Sequence, residues 1–583
     1  MAETIVSPGV FQRENDISFI APAPLEAGAA ILGPTVKGPV EVPTLVTSYN
    51  EYVRKFGDTV TSGSDSYEYL TSIAVKSYFS QGGNSCLVSR VVTGSFSEAD
   101  STDIAATTGS ASSPFTIRTI GRGALYNNAT GSADTGGENS DGSLLSGSAN
   151  NLRWEISNVS SAKGTFTLSV RRGDDSHKSK VILETFNNLS LDPNADNFIQ
   201  KLVGDNQLSK ATDSAGVTYI KASGSYSNSS NYIRIASVPN ATPDYLANDG
   251  STINSGGTLG IAFNNYLPTA QSGSFYNATG DTLAANENKW FEAINANNQG
   301  VTGGSYDDMI TVLENSDEYR FNVVSAPGLN KNNHSATVDK LISLAETRGD
   351  NIAVVDLYGY GASVANVTTK ADLLNSSYAA AYWPWLQTAS ATGKNVWVPA
   401  SIYIPGVYAF TDGAAAPWFA PAGLVRGGIP GVIQAERKLS RNDRDTLYDA
   451  KVNPIATFPG TGIAIFGQKT LQTKASALDR VNVRRLLIDL KKFIGDQAQG
   501  LVFEQNSITT RNKFLAAVNP YLDGVTQRQG LYAYRVVMDD TNNTADVIDR
   551  NQLVGQIFIQ PAKTAEFIVL DFVVEPTGAT FGA

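Results

Sequence analysis

The sequence predicts a multi-domain protein in which an α/β domain is interrupted by a β-rich insertion and followed by an α+β domain with strand-forming arms. Two observations predict this organisation. A helix followed by a nearly continuous apolar strand occurs twice, and residues 101–150, which lie between the two occurrences, are more than half Gly, Ser, Thr or Asn. A chain of 583 residues is long enough to bury several such cores.

The two helix–strand pairs define the α/β domain. Apolar and small residues recur at helical spacing from Leu70 to Ser77 and stop at Gly82-Gly83, before an apolar run at 86–92. The same spacing returns from Val338 to Ala345, ends at Gly349, and precedes an apolar run at 352–357. Such strands are typical of a sheet that helices cover on both faces. We therefore expect one discontinuous α/β domain made of residues 23–95 and 306–465.

The segment between these halves, residues 96–305, is predicted to be an inserted β-rich outer region. Short runs such as Leu152–Ile156 and Thr165–Val170 alternate between apolar and polar residues and have Gly, Asn or Asp at their ends. Disorder is the alternative because the segment is polar, but aromatic residues such as Trp154 and Phe166 favour a folded core. Surface loops tolerate long insertions, so we expect this one to lie on the outside of any assembly.

An α+β domain is predicted for residues 466–564. Ser476 and Asp479 have the spacing of a capping box, which predicts a helix from about Ala477 to Gly495. Two strand-like runs, 556–560 and 566–574, follow near the end of the chain and are separated by Pro561.

Short arms are predicted at the two ends, residues 1–22 and 565–583. Neither is long enough for a core of its own, so each is either disordered or adds as a strand to another sheet. The residues expected to form such strands are Thr4, Ile5, Val6, Val10, Phe11, Ile17 and Phe19 in the first arm and Phe567, Val569, Phe572 and Val574 in the second.

Composition argues against several classes of function. The formal charge of −11 is opposite to that of a general nucleic-acid binder, and no run of 18 apolar residues predicts a membrane span. The first residues do not have the pattern of a secretory signal. The single cysteine, Cys86, has no disulfide partner, and the two histidines, His177 and His334, are too far apart in sequence for a Cys/His zinc site.

No catalytic motif is recognisable. Gly393-Lys394 lacks the glycine spacing of a P-loop, and residues 459–462 are better explained as a tight turn than as a dinucleotide loop. His177 and His334 are expected to be solvated, and Cys86 to be buried and inert. A pair of catalytic carboxylates cannot be identified from spacing. We therefore expect no enzyme activity, no cofactor and no metal.

A series of short motifs, in order along the chain, resembles the contractile-tail sheath proteins of myophages, over about residues 1–95 and 310–583. The first half contributes Ser7-Pro8-Gly9-Val10, Gly38-Pro39-Val40, Leu45-Val46-Thr47-Ser48, Phe56-Gly57 and Gly82-Gly83-Asn84-Ser85-Cys86-Leu87-Val88. The second half contributes Tyr382-Trp383-Pro384-Trp385, Val398-Pro399-Ala400-Ser401, Gly406-Val407-Tyr408-Ala409, Ala420-Pro421-Ala422, Asn453-Pro454-Ile455, Pro459-Gly460-Thr461-Gly462-Ile463, Arg480-Val481-Asn482-Val483-Arg484-Arg485-Leu486, Tyr534-Arg535-Val536-Val537, Thr541-Asn542-Asn543-Thr544 and Ile548-Asp549-Arg550-Asn551. The inserted segment is outside the resemblance.

The resemblance implies a structural, non-enzymatic subunit. Members of this family stack as rings of six into a helical sleeve around a tail tube, and the sleeve contracts to drive the tube through the host envelope. The implied partners are further copies of the chain, the tube protein, and the baseplate and tail terminator proteins, without direct nucleic-acid binding or membrane insertion. The implied location is the virion tail, after assembly in the host cytoplasm. The family pattern also implies that each C-terminal sheet receives an N-terminal arm from one neighbour and a C-terminal arm from another.

Two alternatives remain open at the level of sequence. The same sheath role could belong to an extracellular contractile injection system or an R-type bacteriocin. More distantly, the Gly/Ser/Asn-rich segment could belong to a tail fibre or spike that binds carbohydrate, although that class should show repeats or a coiled coil.

One helix face is a candidate for contact with the tube. Arg480, Arg484 and Lys491 fall within a narrow arc at 100° per residue. Residues 471–520 contain more basic than acidic residues, although the whole chain is acidic. The alternative is that the arc is a solvated or salt-bridged face used inside the subunit.

Overall fold

The computed structural model describes residues 25–62, 65–109, 111–128, 137–280, 301–460 and 462–566. The helices are α1 (Tyr49–Phe56), α2 (Leu70–Ser80), α3 (Ile199–Val203), α4 (Asp307–Val312), α5 (Ser335–Arg348), α6 (Val364–Asp372), α7 (Ile404–Ala414), α8 (Gly423–Arg426), α9 (Arg441–Asp449), α10 (Val481–Gln499), α11 (Ile508–Gln527) and α12 (Ala545–Asp549). The strands are β1 (Leu25–Gly33), β2 (Thr44–Val46), β3 (Thr59–Ser62), β4 (Asp65–Glu68), β5 (Cys86–Arg90), β6 (Glu98–Ser101), β7 (Thr116–Arg122), β8 (Leu152–Ser160), β9 (Thr165–Arg172), β10 (Ile182–Ser190), β11 (Gln207–Thr212), β12 (Thr218–Ser223), β13 (Ile233–Ser237), β14 (Ser255–Gly256), β15 (Ile261–Ala262), β16 (Gln271–Tyr276), β17 (Tyr319–Asn330), β18 (Ile352–Asp356), β19 (Ala379–Trp383), β20 (Leu386–Ala389), β21 (Asn395–Val398), β22 (Val432–Ala435), β23 (Val452–Phe458), β24 (Gly462–Ile465), β25 (Leu531–Val537) and β26 (Gln556–Pro561).

An eight-stranded sheet has the order β2-β5-β1-β17-β18-β19-β23-β24. The six inner strands, β5, β1, β17, β18, β19 and β23, run parallel to one another. The two outer strands, β2 and β24, are antiparallel to the strands beside them. β1 precedes the β-rich segment in sequence and β17 follows it, yet they pair from Leu25 opposite Tyr319 to Ile31 opposite Ser325. Residues from both sides of the insertion therefore form one sheet. The predicted domain boundaries themselves stay predictions.

Helices pack on both faces of this sheet because alternate strand residues enter two different apolar cores. In β18, Ala353 and Val355 join one core and Ile352 and Val354 join the other. Residues of α4, α5 and α6 complete the first core, and residues of α1, α2 and α7 complete the second. All five residues of β5 and of β18 are buried, which confirms the two predicted apolar strands.

The two predicted helices of this layer are also confirmed. α2 begins at Leu70 and ends at Ser80, just before Gly82-Gly83. α5 ends at Arg348, and Gly349 adopts a left-handed conformation with φ of 68°. Glycine is favoured there because a Cβ would strain this backbone conformation.

The β-rich segment forms a second sheet with the order β10-β9-β8-β16-β6-β7-β13. Trp154, Phe115 and Phe166 are buried in its core, and the rings of Phe115 and Phe166 stack at 5.4 Å. The described part of the segment is therefore folded, as the aromatic residues indicated. The hydroxyls of Thr93 and Ser305, on its two sides, are 3.1 Å apart.

The C-terminal part consists of the long helices α10 and α11 and the two-stranded sheet of β25 and β26. Leu486 and Leu490 of α10 pack with Phe514 and Val518 of α11 in a small core. Trp418, which precedes this part in sequence, enters the same core and donates from its indole nitrogen to the Arg528 carbonyl at 2.9 Å.

The predicted start and end of the C-terminal helix are wrong. Ser476 accepts a hydrogen bond from the Leu478 amide and caps a single 3₁₀ turn, Ala477–Asp479. Arg480 is extended, with φ of −116° and ψ of 133°, because its backbone pairs with Lys469. The helix therefore begins at Val481, and it continues through Gly495 to Gln499.

The predictions for residues 459–462 and for the two histidines have different outcomes. Residues 452–458 and 462–465 form an antiparallel pair, and residues 459 and 460 are in a turn, as predicted, whereas residue 461 lies outside the described residues. His334, predicted to be solvated, is buried in front of α5, so that prediction is wrong. His177 is partly exposed, with its Nε2 3.2 Å from Glu138.

Candidate assembly surface

The sheet of β25 and β26 has two open edges within the described part of the chain. The two strands pair with each other, from Leu531 opposite Pro561 to Val537 opposite Gln556, and neither has another strand partner among the described residues. A two-stranded sheet is marginal alone, and its open edges present backbone groups that can pair with added strands.

The two faces of this sheet differ in environment. Tyr534, Val536, Ile557 and Ile559 pack against the core formed with α10 and α11. On β26, Phe558 lies between the two packed isoleucines and is 56% exposed. The helices thus hold a pair of strands whose edges are available for pairing.

The predicted arm residues lie outside the described part of the chain. They are Thr4, Ile5, Val6, Val10, Phe11, Ile17, Phe19, Phe567, Val569, Phe572 and Val574. Their strand-forming role stays a prediction.

Two of the three predicted tube-facing residues meet at one tyrosine. The Arg484 guanidinium lies 4.0 Å from the centre of the Tyr378 ring, and Lys491 Nζ donates to the Tyr378 hydroxyl at 2.9 Å. Arg484 also donates to the carbonyl and hydroxyl of Ser377. Its side chain is buried, and this burial lowers the pKa of Arg484. These contacts favour the alternative, a face used inside the subunit, most clearly for Arg484.

Arg480 is not part of that group. It is at the N-cap of α10, where its Nε donates to Glu566 Oε1 at 2.7 Å and its Nη1 lies 3.0 Å from Asp479. Lys491 is exposed, so of the three it remains the residue most accessible to a partner. Whether this face meets a tube stays a prediction.

Contacts with Glu566 were not foreseen from sequence. Gln468 and Tyr448 also donate to its carboxylate, at 2.9 and 2.8 Å. These residues are 98 and 118 positions away from Glu566, a separation at which periodicity carries no information.

The described residues do not suggest a reactive centre. No group of three or more His, Cys, Asp or Glu side chains is placed to hold a metal ion in the described ranges. Cys86 is buried, which raises the pKa of its thiol. Asp356 is buried too and bonds to Ser401, with a pKa raised to about 7 by loss of solvent. Among the described helices, none is long and apolar enough to cross a membrane.

Comparison with known families identifies the second half of the chain. Residues 299–471 match the phage tail sheath protein central domain, and residues 473–575 match the phage tail sheath C-terminal domain. Residues 299–575 thus resemble two consecutive domains of phage tail sheath proteins. The recognised domains include the C-terminal sheet, α10 and the greater part of the eight-stranded sheet.

Two curated relatives support this assignment. The tail sheath protein of Vibrio phage KVP40 is 41% identical over 216 residues, which is 37% of this chain and 31% of the relative. The tail sheath protein of Enterobacteria phage T4 is 42% identical over 187 residues, 32% of this chain and 28% of the relative. The matches thus span about a third of the length of these relatives.

A solved structure extends the likeness to the fold of nearly the whole chain. The sheath tail protein from Listeria innocua covers 92% of this chain and 95% of its own, with a TM-score of 0.51 and 9% identity. At this identity the likeness concerns the fold alone. The mixed α/β fold of this chain is therefore similar to that of the Listeria innocua protein.

Proposed function

We propose that the chain is the structural subunit of a contractile tail sheath. In this proposal it polymerises as stacked six-membered rings around a tail tube, and the assembled sleeve contracts to drive the tube through the host envelope. The observation that carries the proposal is the presence of two consecutive sheath domains over residues 299–575. The open edges of the sheet of β25 and β26 supply a way for copies to link.

The proposed links are added strands. The arm at 1–22 of one neighbour and the arm at 565–583 of another would each pair with one open edge of this sheet. Each backbone hydrogen bond contributes about 1 kcal/mol net, so a strand of several residues gives a strong link when side-chain burial is added. Head-to-tail contacts that do not close produce a helical assembly, which is the geometry a sleeve requires.

Contraction in this proposal is a change between two packings of the same subunits. The segment near Ala21–Pro24 connects the first arm to β1. In this proposal the connection lets the domains rotate while the paired strands stay together. The work would come from the free-energy difference between the two lattices. The β-rich segment, of which all but residues 299–305 precedes the matched sheath domains, would face outward.

The proposed partners follow from the same role. They are the tube protein, the baseplate and the tail terminator, with assembly in the host cytoplasm and a final location in the virion tail. The two curated relatives named above come from phages, which favours a virion over an extracellular injection system or an R-type bacteriocin.

Electron microscopy of the purified full-length chain tests the proposal. Negatively stained samples should contain tubes or stacked rings, and their abundance should increase with protein concentration. Compact trimers or rods at every concentration would contradict the proposal and would favour the fibre or spike alternative instead.

A further inference from the structure

Glu566, the last described residue, is held by three side chains from separate parts of the chain. Arg480 Nε and Gln468 Nε2 both donate to Oε1, at 2.7 and 2.9 Å. The Tyr448 hydroxyl donates to Oε2 at 2.8 Å. Both oxygens of the carboxylate are thus bound, one of them by a charge-assisted bond to a guanidinium.

Gln468 and Tyr448 are also held by contacts that do not involve Glu566. Gln468 is buried, and its carbonyl accepts from the Val481 amide at 2.8 Å, which places it beside Arg480. Tyr448 belongs to α9, and Lys469 Nζ lies 4.3 Å from the centre of its ring. Donors held in position by the surrounding structure lose little conformational freedom when they bind a carboxylate.

The environment keeps the Glu566 carboxylate charged. Desolvation acts to raise its pKa, but hydrogen bonds from Arg480, Gln468 and Tyr448 outweigh this effect, so the pKa of Glu566 is lower than usual. The side chains of Arg480 and Glu566 are 25% and 18% exposed. This pair is therefore more protected from solvent than an ordinary surface salt bridge.

Glu566 lies between β26 and the predicted strand of the C-terminal arm. β26 ends at Pro561, and Phe567, the first of the predicted strand-forming residues of the C-terminal arm, directly follows the bound carboxylate. Thr564 is tied in as well, because Gln468 Nε2 donates to its hydroxyl at 2.5 Å.

We infer that Glu566, Tyr448, Gln468 and Arg480 form an anchor that holds the root of the C-terminal arm against its own subunit. By fixing the root, the anchor sets the direction in which the arm leaves toward a neighbouring copy. It also reduces the number of arm conformations that would be lost on docking, which favours assembly. The inference rests on the proposed function, and it assigns Arg480 to the arm instead of the tube face.

The direct test is hydrogen exchange in the unassembled full-length subunit, measured for peptides that cover 560–583. Glu566→Gln keeps the shape of the side chain but removes the charge that Arg480 binds. Asp546→Asn is the matched control, because it removes one carboxylate from an exposed pair with Arg550 in the same domain. Glu566→Gln should speed exchange around residues 562–566 about tenfold, the factor expected for loss of one charge-assisted hydrogen bond.

The second readout is assembly. The protein concentration at which tubes first form should rise about tenfold in Glu566→Gln and stay at the wild-type value in Asp546→Asn. Arg480→Lys, which keeps the charge but loses the guanidinium geometry, should fall between wild type and Glu566→Gln. Exchange and assembly of Glu566→Gln equal to those of the control would overturn the anchor.

Two further measurements distinguish loss of the anchor from loss of folding and from failure of the proposed function. Tyr448→Phe removes only the hydroxyl that donates to Glu566, so it should speed the same exchange even if Glu566→Gln destabilises the chain; wild-type exchange in Tyr448→Phe would refute the anchor. If the wild-type chain forms no tubes, the proposed function fails, while exchange in the subunit still decides whether the anchor exists.

Discussion

Replacing Asp356 with asparagine should stabilise the central sheet, and the gain should grow with pH. Asp356 lies at the carboxyl end of β18 and is 5% exposed. Its carboxyl oxygens accept from the Ser401 hydroxyl at 2.5 Å and from the Ser401 amide at 3.3 Å. Loss of solvent raises the pKa of Asp356 to about 7, although the bonds from Ser401 act in the opposite direction.

The sign of the effect follows from proton linkage. An unfolded Asp has a pKa of about 3.9, so between about pH 4 and pH 7 the folded chain holds this proton while the unfolded chain has lost it. The wild-type chain therefore loses stability as pH rises from about 4 to about 7 and changes no further above that pH. Asp356→Asn has no such proton to lose, so its gain over wild type grows across the same range. The difference of about three pKa units corresponds to at most about 4 kcal/mol at pH 8 and about 1.5 kcal/mol at pH 5.

Hydrogen exchange of peptides that contain β18 measures this effect locally. Asp356→Asn and wild type are compared at the same pH, so that the intrinsic exchange rate cancels. Asp372→Asn, at the exposed end of α6, is the control for loss of a carboxylate and should exchange like wild type at both pH values. The β18 peptides should exchange more slowly in Asp356→Asn than in wild type, and the difference should be larger at pH 8 than at pH 5. No slowing at pH 8, or equal slowing at the two pH values, would refute the reasoning.

Four further predictions concern the N-terminal arm, the insertion and two residues of the basic helix face. Deleting residues 1–19 should give a soluble subunit with unchanged far-UV circular dichroism that does not polymerise in sedimentation assays; normal tubes would contradict the strand links. Replacing residues 96–305 with a short Gly/Ser joint should leave the remainder folded in a thermal melt, since the hydroxyls of Thr93 and Ser305 are 3.1 Å apart, and aggregation of this variant alone would argue against it. Arg484→Ala should lower the free energy of unfolding in urea by about 2 kcal/mol, through loss of its bonds to Ser377 and its contact with Tyr378. Lys491→Glu should change stability by less than about 0.5 kcal/mol but weaken co-sedimentation with tube protein at low salt, and unchanged co-sedimentation would remove the tube-face prediction.

Local patterns predicted those parts of the fold that local forces determine. The strands that begin at Cys86 and Ile352 are mostly apolar, and every residue in both is buried in the sheet. The spacing of Arg484 and Lys491 placed them together, and both do meet Tyr378. The start of α10 could not be predicted in this way, because the extended backbone of Arg480 depends on pairing with Lys469.

The candidate site was less accessible to sequence reasoning. The bond between Tyr448 and Glu566 joins residues 118 positions apart, and neither residue belongs to a recognisable motif. The burial of His334 has a similar origin, since its polar neighbours in sequence suggested solvent while the folded chain covers it. Resemblance to a family supplied the function, which periodicity and charge alone did not.

A helical reconstruction of assembled tubes by cryo-electron microscopy tests the central claim most directly. The claim is that this chain builds a sheath whose copies are linked by strands at the sheet of β25 and β26. The account predicts that this sheet gains one strand at each open edge, contributed by residues 1–22 of one neighbour and 565–583 of another. Tubes in which both edges remain without an added strand, with the arms folded on their own subunit, would contradict it.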